Sequence, residues 1–151
     1  MEASAATASA AGLIGSVSAL ATTLRNLKQR YDFAVFNITR AASSLWTAKS
    51  ALEAIQEWSA TAAHSASSSP QLDADISLTL ESCAVLVAVI ERKLGETDVV
   101  KVFDKSRIVV LDATLKDFTS HLDVQIRALQ LLLTIFQWCA GSGLPLPSWP
   151  C

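Results

Sequence analysis

The side chains that could act as nucleophiles or proton carriers are few and scattered along the chain. Its 151 residues include three cysteines, Cys83, Cys139 and Cys151, and two histidines, His64 and His121. A thiol becomes a catalytic nucleophile when a neighbouring base takes its proton, and no local motif links either histidine to a cysteine. We therefore predict no catalytic residue, and a protein that is not an enzyme.

The sequence lacks the residue patterns that metal and nucleotide sites require. The sequence has no CxxC, HxxH or HExxH pattern and so no zinc ligand set. It has no GxxxxGK[ST] or GxGxxG loop to hold a phosphate. Glu53 and Glu57 lie one helical turn apart, as do Asp73 and Ser77, but a solvated surface explains both pairs. We expect no metal, no cofactor and no small-molecule substrate.

The composition excludes further classes. The net charge is −2 and the isoelectric point about 5.6, which gives no basic footprint for nucleic acid. An odd number of cysteines does not close a disulfide framework, so we expect reduced thiols in a cytoplasmic protein. The first 24 residues carry a single charge and so resemble a signal peptide. That charge is the acidic Glu2, whereas a secretory signal begins with basic residues, so we do not expect secretion.

A long helical pattern occupies the first third of the chain. From Leu13 to Ile55, apolar or small residues recur at steps of three and four, which predicts helix rather than strand. One straight helix of this length would span about 63 Å, whereas a domain of this size is roughly 40 Å across. We expect a break within Tyr31–Asn37, where helix propensity is weakest; a kinked continuous helix is the alternative. The stripe comprises Leu13, Val17, Leu20, Leu24, Leu27, Tyr31, Ala34, Ile38, Ala41, Leu45, Ala48, Leu52 and Ile55.

The next helix is predicted after a Ser/Ala-rich linker, Ala60–Ser69. Pro70 suits a first helical turn, and Gly95 is the expected stop. Its apolar face comprises Leu72, Ile76, Leu80, Cys83, Val87, Ile90 and Leu94.

The last helical pattern begins at about Lys105 and extends to Trp138. Thr114 with Asp117 has the spacing of a helix cap, so we consider a short helix followed by a long one. From Gly141 the Gly/Pro-rich sequence should not continue a helix. The apolar positions are Ile108, Leu111, Leu115, Phe118, Leu122, Leu129, Leu132 and Phe136.

Together these segments predict an all-α fold, an antiparallel bundle of about four helices, each roughly 35 Å long. The bundle domain is expected to comprise residues 1–139, and residues 140–151 an irregular C-terminal tail.

Five blocks of sequence resemble the HeLo-like N-terminal domain of fungal STAND (NACHT-type, NLR-like) signalling proteins. They are Gly12–Gly15, Thr23–Asp32, Leu52–Trp58, Leu80–Cys83 and Val124–Trp138, and they follow the family order over nearly the whole chain to Trp138.

The resemblance implies a helical effector module at the front of a larger receptor. Related HeLo domains execute programmed cell death by inserting an N-terminal segment into membranes, and resemble the bundle of mixed-lineage-kinase-like pseudokinases. The present chain departs from the family plan because it reaches Cys151 without a nucleotide-binding region. We therefore expect a standalone member or a shortened receptor.

The N-terminal segment is the main candidate for function. Ala3–Leu24 is uncharged over 22 residues, just long enough to cross a bilayer as a helix, yet only five of them are Leu, Ile or Val. Small residues at Ala11, Gly15 and Ala19 would allow close approach of helices in a membrane. The alternative is a bundle helix packed closely through small side chains. The residues predicted for membrane contact or self-association are Ala11, Gly12, Leu13, Ile14, Gly15, Val17, Ala19, Leu20 and Leu24.

Three further features each have two interpretations. Arg25, Lys28 and Arg30 would contact acidic lipid heads, or form a solvated face. The Leu13–Ile55 stripe would be a coiled-coil dimer seam, or, as we favour, a bundle core. Three tryptophans on the helical patterns are either anchors of an interface or core residues, and we predict core positions because aromatic residues on such patterns are more often buried. They are Trp46, Trp58 and Trp138.

The sequence thus favours a non-enzymatic signalling module acting by helix self-association and by membrane-targeting cell death. Its expected partners are proteins, either a second copy or another helical protein, and a membrane to which activation recruits it. The alternative is a cytosolic interaction or dimerisation bundle without membrane activity.

Overall fold

The structure, a computed structural model, describes residues 5–30, 35–62, 70–98 and 105–142. All four segments are helical, and no strand occurs among these residues, so the predicted all-α bundle of four helices is confirmed. The helices are α1 (Ala5–Arg30), α2 (Val35–Ala62), α3 (Pro70–Asp98) and α4 (Lys105–Ser142).

The long N-terminal pattern forms two helices rather than one. α1 ends at Arg30 and α2 begins at Val35, so the division falls within the predicted stretch. The two helices share the most extensive contact in the bundle. Because only four residues join them, they must pack side by side in opposite directions. The core positions of the stripe continue on both helices.

Several predicted helix ends are wrong. α2 continues through Ala62, three residues into the predicted linker. Gly95 lies inside α3, which continues to Asp98. A glycine costs a helix only about 1 kcal/mol, which its neighbours outweigh when nothing else breaks the helix. The predicted start at Pro70 is confirmed.

The last helix is single and longer than the others. Thr114 does not cap a restart, because its Oγ1 donates to the carbonyl oxygen of Val110 (2.8 Å) inside α4. α4 also includes residues 140–142 of the predicted tail; residues 143–151 lie outside the described residues. Its 38 residues extend about 57 Å, against 39–44 Å for the other three helices, so the expected 35 Å was too short.

The four helices form a ring in the order α1, α2, α4, α3. α1 contacts α2 and α3, and α4 contacts α2 and α3; within the described segments, Cα atoms of the diagonal pairs α1/α4 and α2/α3 do not approach within 8 Å of each other. Neighbouring helices are therefore not always consecutive in sequence. α2 and α4 run in the same direction, because Asn37 bonds to Asp112 and Ser44, further along α2, bonds to Asp123 further along α4.

One hydrophobic cluster joins all four helices. Each described residue of the three predicted stripes is buried, apart from Leu27 and Leu132, which are half-buried against the cluster. Stripe residues Tyr31 and Ala34, and the side chains of Ile108 and Phe136, lie outside the described part. The core interpretation of the Leu13–Ile55 stripe is therefore confirmed for its described positions. The largest fully buried side chains are Leu24, Ile38, Leu45, Leu52, Ile55, Ile76, Leu80, Ile90, Leu115, Leu122 and Leu129.

Candidate interaction surface

The thiol that the structure describes is a core residue. Cys83 lies on α3 within the hydrophobic cluster, and burial raises its pKa to about 11. A raised pKa keeps the thiol protonated, which is the opposite of what a nucleophile needs. His121 is exposed on α4, and its Nδ1 donates to the carbonyl oxygen of Asp117 in the same helix (2.7 Å). Burial of the thiol and exposure of the ring put these two groups in different surroundings.

The remaining candidates for chemistry are not described. His64 and Cys151 lie outside the described residues, as does the side chain of Cys139. Within the described segments, no three His, Cys, Asp or Glu side chains come together as a metal site would require.

Polar bonds join α2 to α4 at two levels. Asn37 Nδ2 donates to Asp112 Oδ2 at 2.7 Å. Three turns further along α4, Asp123 accepts hydrogen bonds from Ser44 Oγ at 2.8 Å and from an Arg40 guanidinium nitrogen at 3.3 Å. Asp112 and Asp123 are eleven residues apart, which is three helical turns and brings both carboxylates to the same side of α4. Their positions fit a role in holding the parallel pair in register.

The N-terminal candidate residues divide between the two sides of α1. The core side buries the large residues Leu13, Val17, Leu20 and Leu24, and half-buries Ile14. These apolar side chains therefore already have partners in the bundle.

The small residues of α1 are exposed. Ala11, Gly12, Gly15 and Ala19 all lie on the outer side, and a methyl group added at either glycine would meet no neighbouring atom within 4 Å. The interpretation that these small residues pack closely inside the bundle is therefore wrong; Ala10 and Ala21 are the buried alanines. In the described part of the chain, none of the helices combines the length and the apolar content that a bilayer crossing requires.

The basic group after this segment contacts an aromatic ring. The guanidinium carbon of Arg25 lies 5.8 Å from the centre of the Trp46 ring, and Lys49 Nζ lies 5.2 Å from the same point. Both distances suit cation–π attraction between α1 and α2 or within α2. Lys28 is exposed, and the side chain of Arg30 lies outside the description. Arg25 thus has a partner within the protein.

Two of the three tryptophans that were predicted to lie in the core are not core residues. Trp58 is half-buried against the cluster, but Trp46 is 37% exposed and Trp138 is 79% exposed. The core prediction is therefore wrong for Trp46 and Trp138. Helical spacing shows which residues share a face of a helix, and both of these tryptophans belong to faces other than the core face.

Trp138 belongs to an apolar surface on α4 that we call the α4 outer stripe. It comprises Val124, Leu131, Ile135 and Trp138, spaced by seven, four and three residues, all on the side of α4 opposite its core residues. Leu131 is 63% exposed and Val124 is 62% exposed. An exposed apolar surface of this kind commonly marks a place where another molecule binds.

A second apolar surface lies on α3. The α3 outer stripe comprises Leu78, Val85 and Val89, again opposite the buried residues of its helix, and Leu78 is 65% exposed. Its neighbours Glu81 and Arg92 are charged and exposed, and so is Arg127, between Val124 and Leu131 of the α4 outer stripe. The α4 outer stripe has no charged residue after Arg127.

The sequence contained one signal for the α4 outer stripe. Residues 129–133 include four leucines among five positions, and one face of a helix can hold only two or three of them. Leu129 is buried and Leu132 and Leu133 are half-buried, so Leu131 is left on the outside.

Comparison of the chain with protein-family models, with curated protein sequences and with solved structures finds no match.

Proposed function

We propose that this protein is a non-enzymatic helical association module, which functions by pairing with further helices, above all those of a second copy. The observation that carries the proposal is the α4 outer stripe: four apolar side chains at helical spacing, 49–79% exposed, on the side of α4 opposite its core residues. The resemblance to N-terminal effector domains of fungal NLR-like receptors, which signal by self-association, supports the same function.

Self-association is tested by measuring the molar mass of the full chain in solution. Size-exclusion chromatography with light scattering, over an about hundredfold range of protein concentration, should give a mass that rises above 16.1 kDa. A mass that stays at the monomer value at every concentration contradicts the proposal.

A second candidate function is membrane attack by α1, as in the cell-death members of the family that the chain resembles. The observation that favours it is the uncharged segment Ala3–Leu24, in which the described residues Gly12, Gly15 and Ala19 face outward. In this function, a cytoplasmic protein would move to a membrane on activation, and Arg25, Lys28 and Arg30 would reach acidic lipid heads.

The bundle sets an energetic condition on this second function. Leu13, Val17, Leu20 and Leu24 are buried, and exposing four such side chains costs about 6–12 kcal/mol. This is comparable with the whole stability of a typical domain, about 5–15 kcal/mol. Release of α1 would therefore need a partner, a modification or the membrane itself to supply most of that free energy.

The membrane function is tested by a substitution that the bundle tolerates and a bilayer does not. Ala19 is exposed, so Ala19→Lys should leave the folded protein intact, while a lysine within an inserted helix costs up to about 3 kcal/mol, the value at the helix centre. We expect Ala19→Lys to lower dye release from liposomes containing anionic lipid. Ala88→Lys, on the exposed side of α3, is the matched control. Equal leakage from both variants and the wild type contradicts insertion of α1.

A further inference from the structure

We infer that the outer side of α3 pairs with the same side of α3 in a second copy, with the two helices antiparallel and Glu81 of each copy against Arg92 of the other. This inference rests on the proposed function, because it assigns the contact between two copies to one surface. The α4 outer stripe stays outside this contact.

The outer side of α3 carries both apolar side chains and charges. Leu78, Val85 and Val89 are 40–65% exposed, and the charged residues Glu81 and Arg92 are exposed on the same side. Eleven residues, which is three helical turns, separate the acid from the base. Among the described residues, neither of these two charged side chains takes part in an ion pair or a hydrogen bond. Both charges are therefore available to a partner.

The spacing along this side is that of a helix pair. Six exposed positions recur at alternating steps of three and four residues, the repeat that keeps two helices in contact along one seam. We call these positions the α3 seam. They are Leu78, Glu81, Val85, Ala88, Arg92 and Gly95.

An antiparallel arrangement makes the α3 seam complementary to itself. When Glu81 lies against Arg92 of the second copy, the same register places Val85 against Ala88, because both pairs are centred on the same point of the helix. An acid then faces a base, and a branched side chain faces a small one. Each half of the seam repeats the contacts of the other half, so the pairing is isologous and closes with two copies.

The ends of the α3 seam fit the same register. Leu78 comes to lie against Gly95 of the second copy. Gly95 is exposed, and a methyl group added to it would meet no neighbouring atom within 4 Å. The leucine side chain can therefore approach the backbone of α3 closely at this point. The described part of the bundle gives no packing reason for a glycine inside this helix, whereas the pairing does.

The two charges select both the partner and its direction. In a parallel pair, Glu81 would face Glu81 and Arg92 would face Arg92, and like charges opposed across a contact are unfavourable. An acidic lipid surface would attract Arg92 but repel Glu81. A second copy in the antiparallel direction pairs both charges with opposite ones.

The size of the contact predicts its strength. The α3 seam is about 26 Å long at 1.5 Å per residue. A single helix pair of this length buries less surface than a standard protein interface of about 1,600 Å². We therefore expect a weak, concentration-dependent dimer rather than a permanent one.

The first test reverses the charges one at a time in the full chain. Glu81→Arg opposes like charges at both ends of the seam, as does Arg92→Glu, and each variant alone should dimerise at least about tenfold more weakly than the wild type. In an equimolar mixture of the two variants, each base again faces an acid. Light scattering should therefore give the mixture a dimer mass at a concentration where each variant alone is monomeric.

The control for the first test is Glu57→Arg, the same charge change at an exposed position of α2, diagonally across the ring from α3. It should dimerise like the wild type, and circular dichroism verifies that all variants remain folded. Single variants that dimerise like the wild type, or a mixture that stays monomeric, overturn the α3 contact while leaving self-association intact. Loss of the dimer in Leu131→Glu does the same, because it places the contact on the α4 outer stripe. A strictly monomeric wild type overturns self-association itself.

The second test establishes direction. In a background of Cys139→Ser and Cys151→Ser, with Cys83 buried, a short thiol-to-thiol crosslinker should join Val85→Cys to itself. The antiparallel register separates those two positions by only three residues, about 4.5 Å along the helices. The crosslinker should not join Leu78→Cys to itself, because these positions lie 17 residues, about 26 Å, apart. Efficient crosslinking of Leu78→Cys indicates a parallel pair and contradicts the inference.

Discussion

At the scale of single residues, burial determines what Cys83 can do. It lies among leucine, isoleucine and valine side chains of the common core, where a thiolate would lose its hydration. Its sulfur therefore behaves as a small apolar group. On the α2/α4 side, by contrast, Asp123 keeps partners for both carboxylate oxygens, Ser44 and Arg40.

We predict that Cys83 resists thiol reagents while the protein is folded. In the Cys139→Ser, Cys151→Ser background, labelling at pH 8 should be slower than in concentrated urea by roughly a hundredfold or more, because reaction must await opening of the core. Immediate labelling of the folded protein would show that Cys83 is accessible.

The same residue predicts a change of stability at high pH. The folded pKa of about 11 exceeds the unfolded value of 9.0, so the unfolded chain loses the thiol proton first as the pH rises. The stabilisation is complete below pH 9 and is lost as the pH rises to 11. Over this window the free energy of unfolding should fall more steeply for the wild type than for Cys83→Ala, by up to about 1.4 kcal/mol per pH unit. Parallel curves would contradict the prediction.

We predict that Asp123→Ala lowers the free energy of unfolding by about 1–2 kcal/mol, because Ser44 Oγ is left buried without its acceptor. Most of this loss should come from Ser44, since the Arg40 side chain is 46% exposed and an ion pair in water contributes less than about 1 kcal/mol. Urea unfolding provides the measurement. Asp117→Ala, an exposed position of the same helix, should change stability by less than about 0.5 kcal/mol; equal effects would show that the bonds to Asp123 contribute nothing.

At the scale of the helices, the sequence predicts inner faces better than ends. The buried face of α3 is predicted residue by residue from Leu72 to Leu94, because the removal of apolar surface from water dominates the free energy of packing. Gly95 and Thr114 are local signals worth about 1 kcal/mol each, and the surrounding helix outweighs both. The outer side of α1 was mistaken for a packing surface for a similar reason: small residues permit close approach but do not require it.

We predict that Gly15→Ala raises the free energy of unfolding by about 0.5–1 kcal/mol. The added methyl group meets open space, and alanine loses less backbone entropy than glycine when a helix forms. Thermal unfolding followed by circular dichroism should show a higher midpoint. A lower midpoint would mean that another part of the protein packs against Gly15.

At the scale of the whole molecule, one core joins four helices, so we predict one cooperative unfolding transition. Leu115→Ala, at a fully buried position of α4, should lower the free energy of unfolding by about 2–5 kcal/mol. Circular dichroism and tryptophan fluorescence should report the same urea midpoint. Leu131→Ala, measured at a concentration where the protein is monomeric, should lie within about 0.5 kcal/mol of the wild type. Two separate transitions would contradict a single core.

The candidate surface was harder to predict than the core. The periodic pattern identified most of the buried face of α4 from Leu111 to Leu129 but missed Ile126, and it placed the exposed Trp138 in the core. Periodicity shows which residues lie on one side of a helix. Whether that side meets another helix or solvent depends on the order of the helices in the ring. That order arises from contacts between segments far apart in sequence, and no local pattern encodes it.

The ring order has a consequence for α1. Within the described segments α1 lies diagonally across from α4, which touches α2 on one flank and α3 on the other. Detaching the first helix would thus leave the other three still connected through the last one. Such a change would uncover the inner sides of α2 and α3 without disturbing the outer side of α3. A dimer formed there could therefore persist while its two N-terminal helices were free to engage something else.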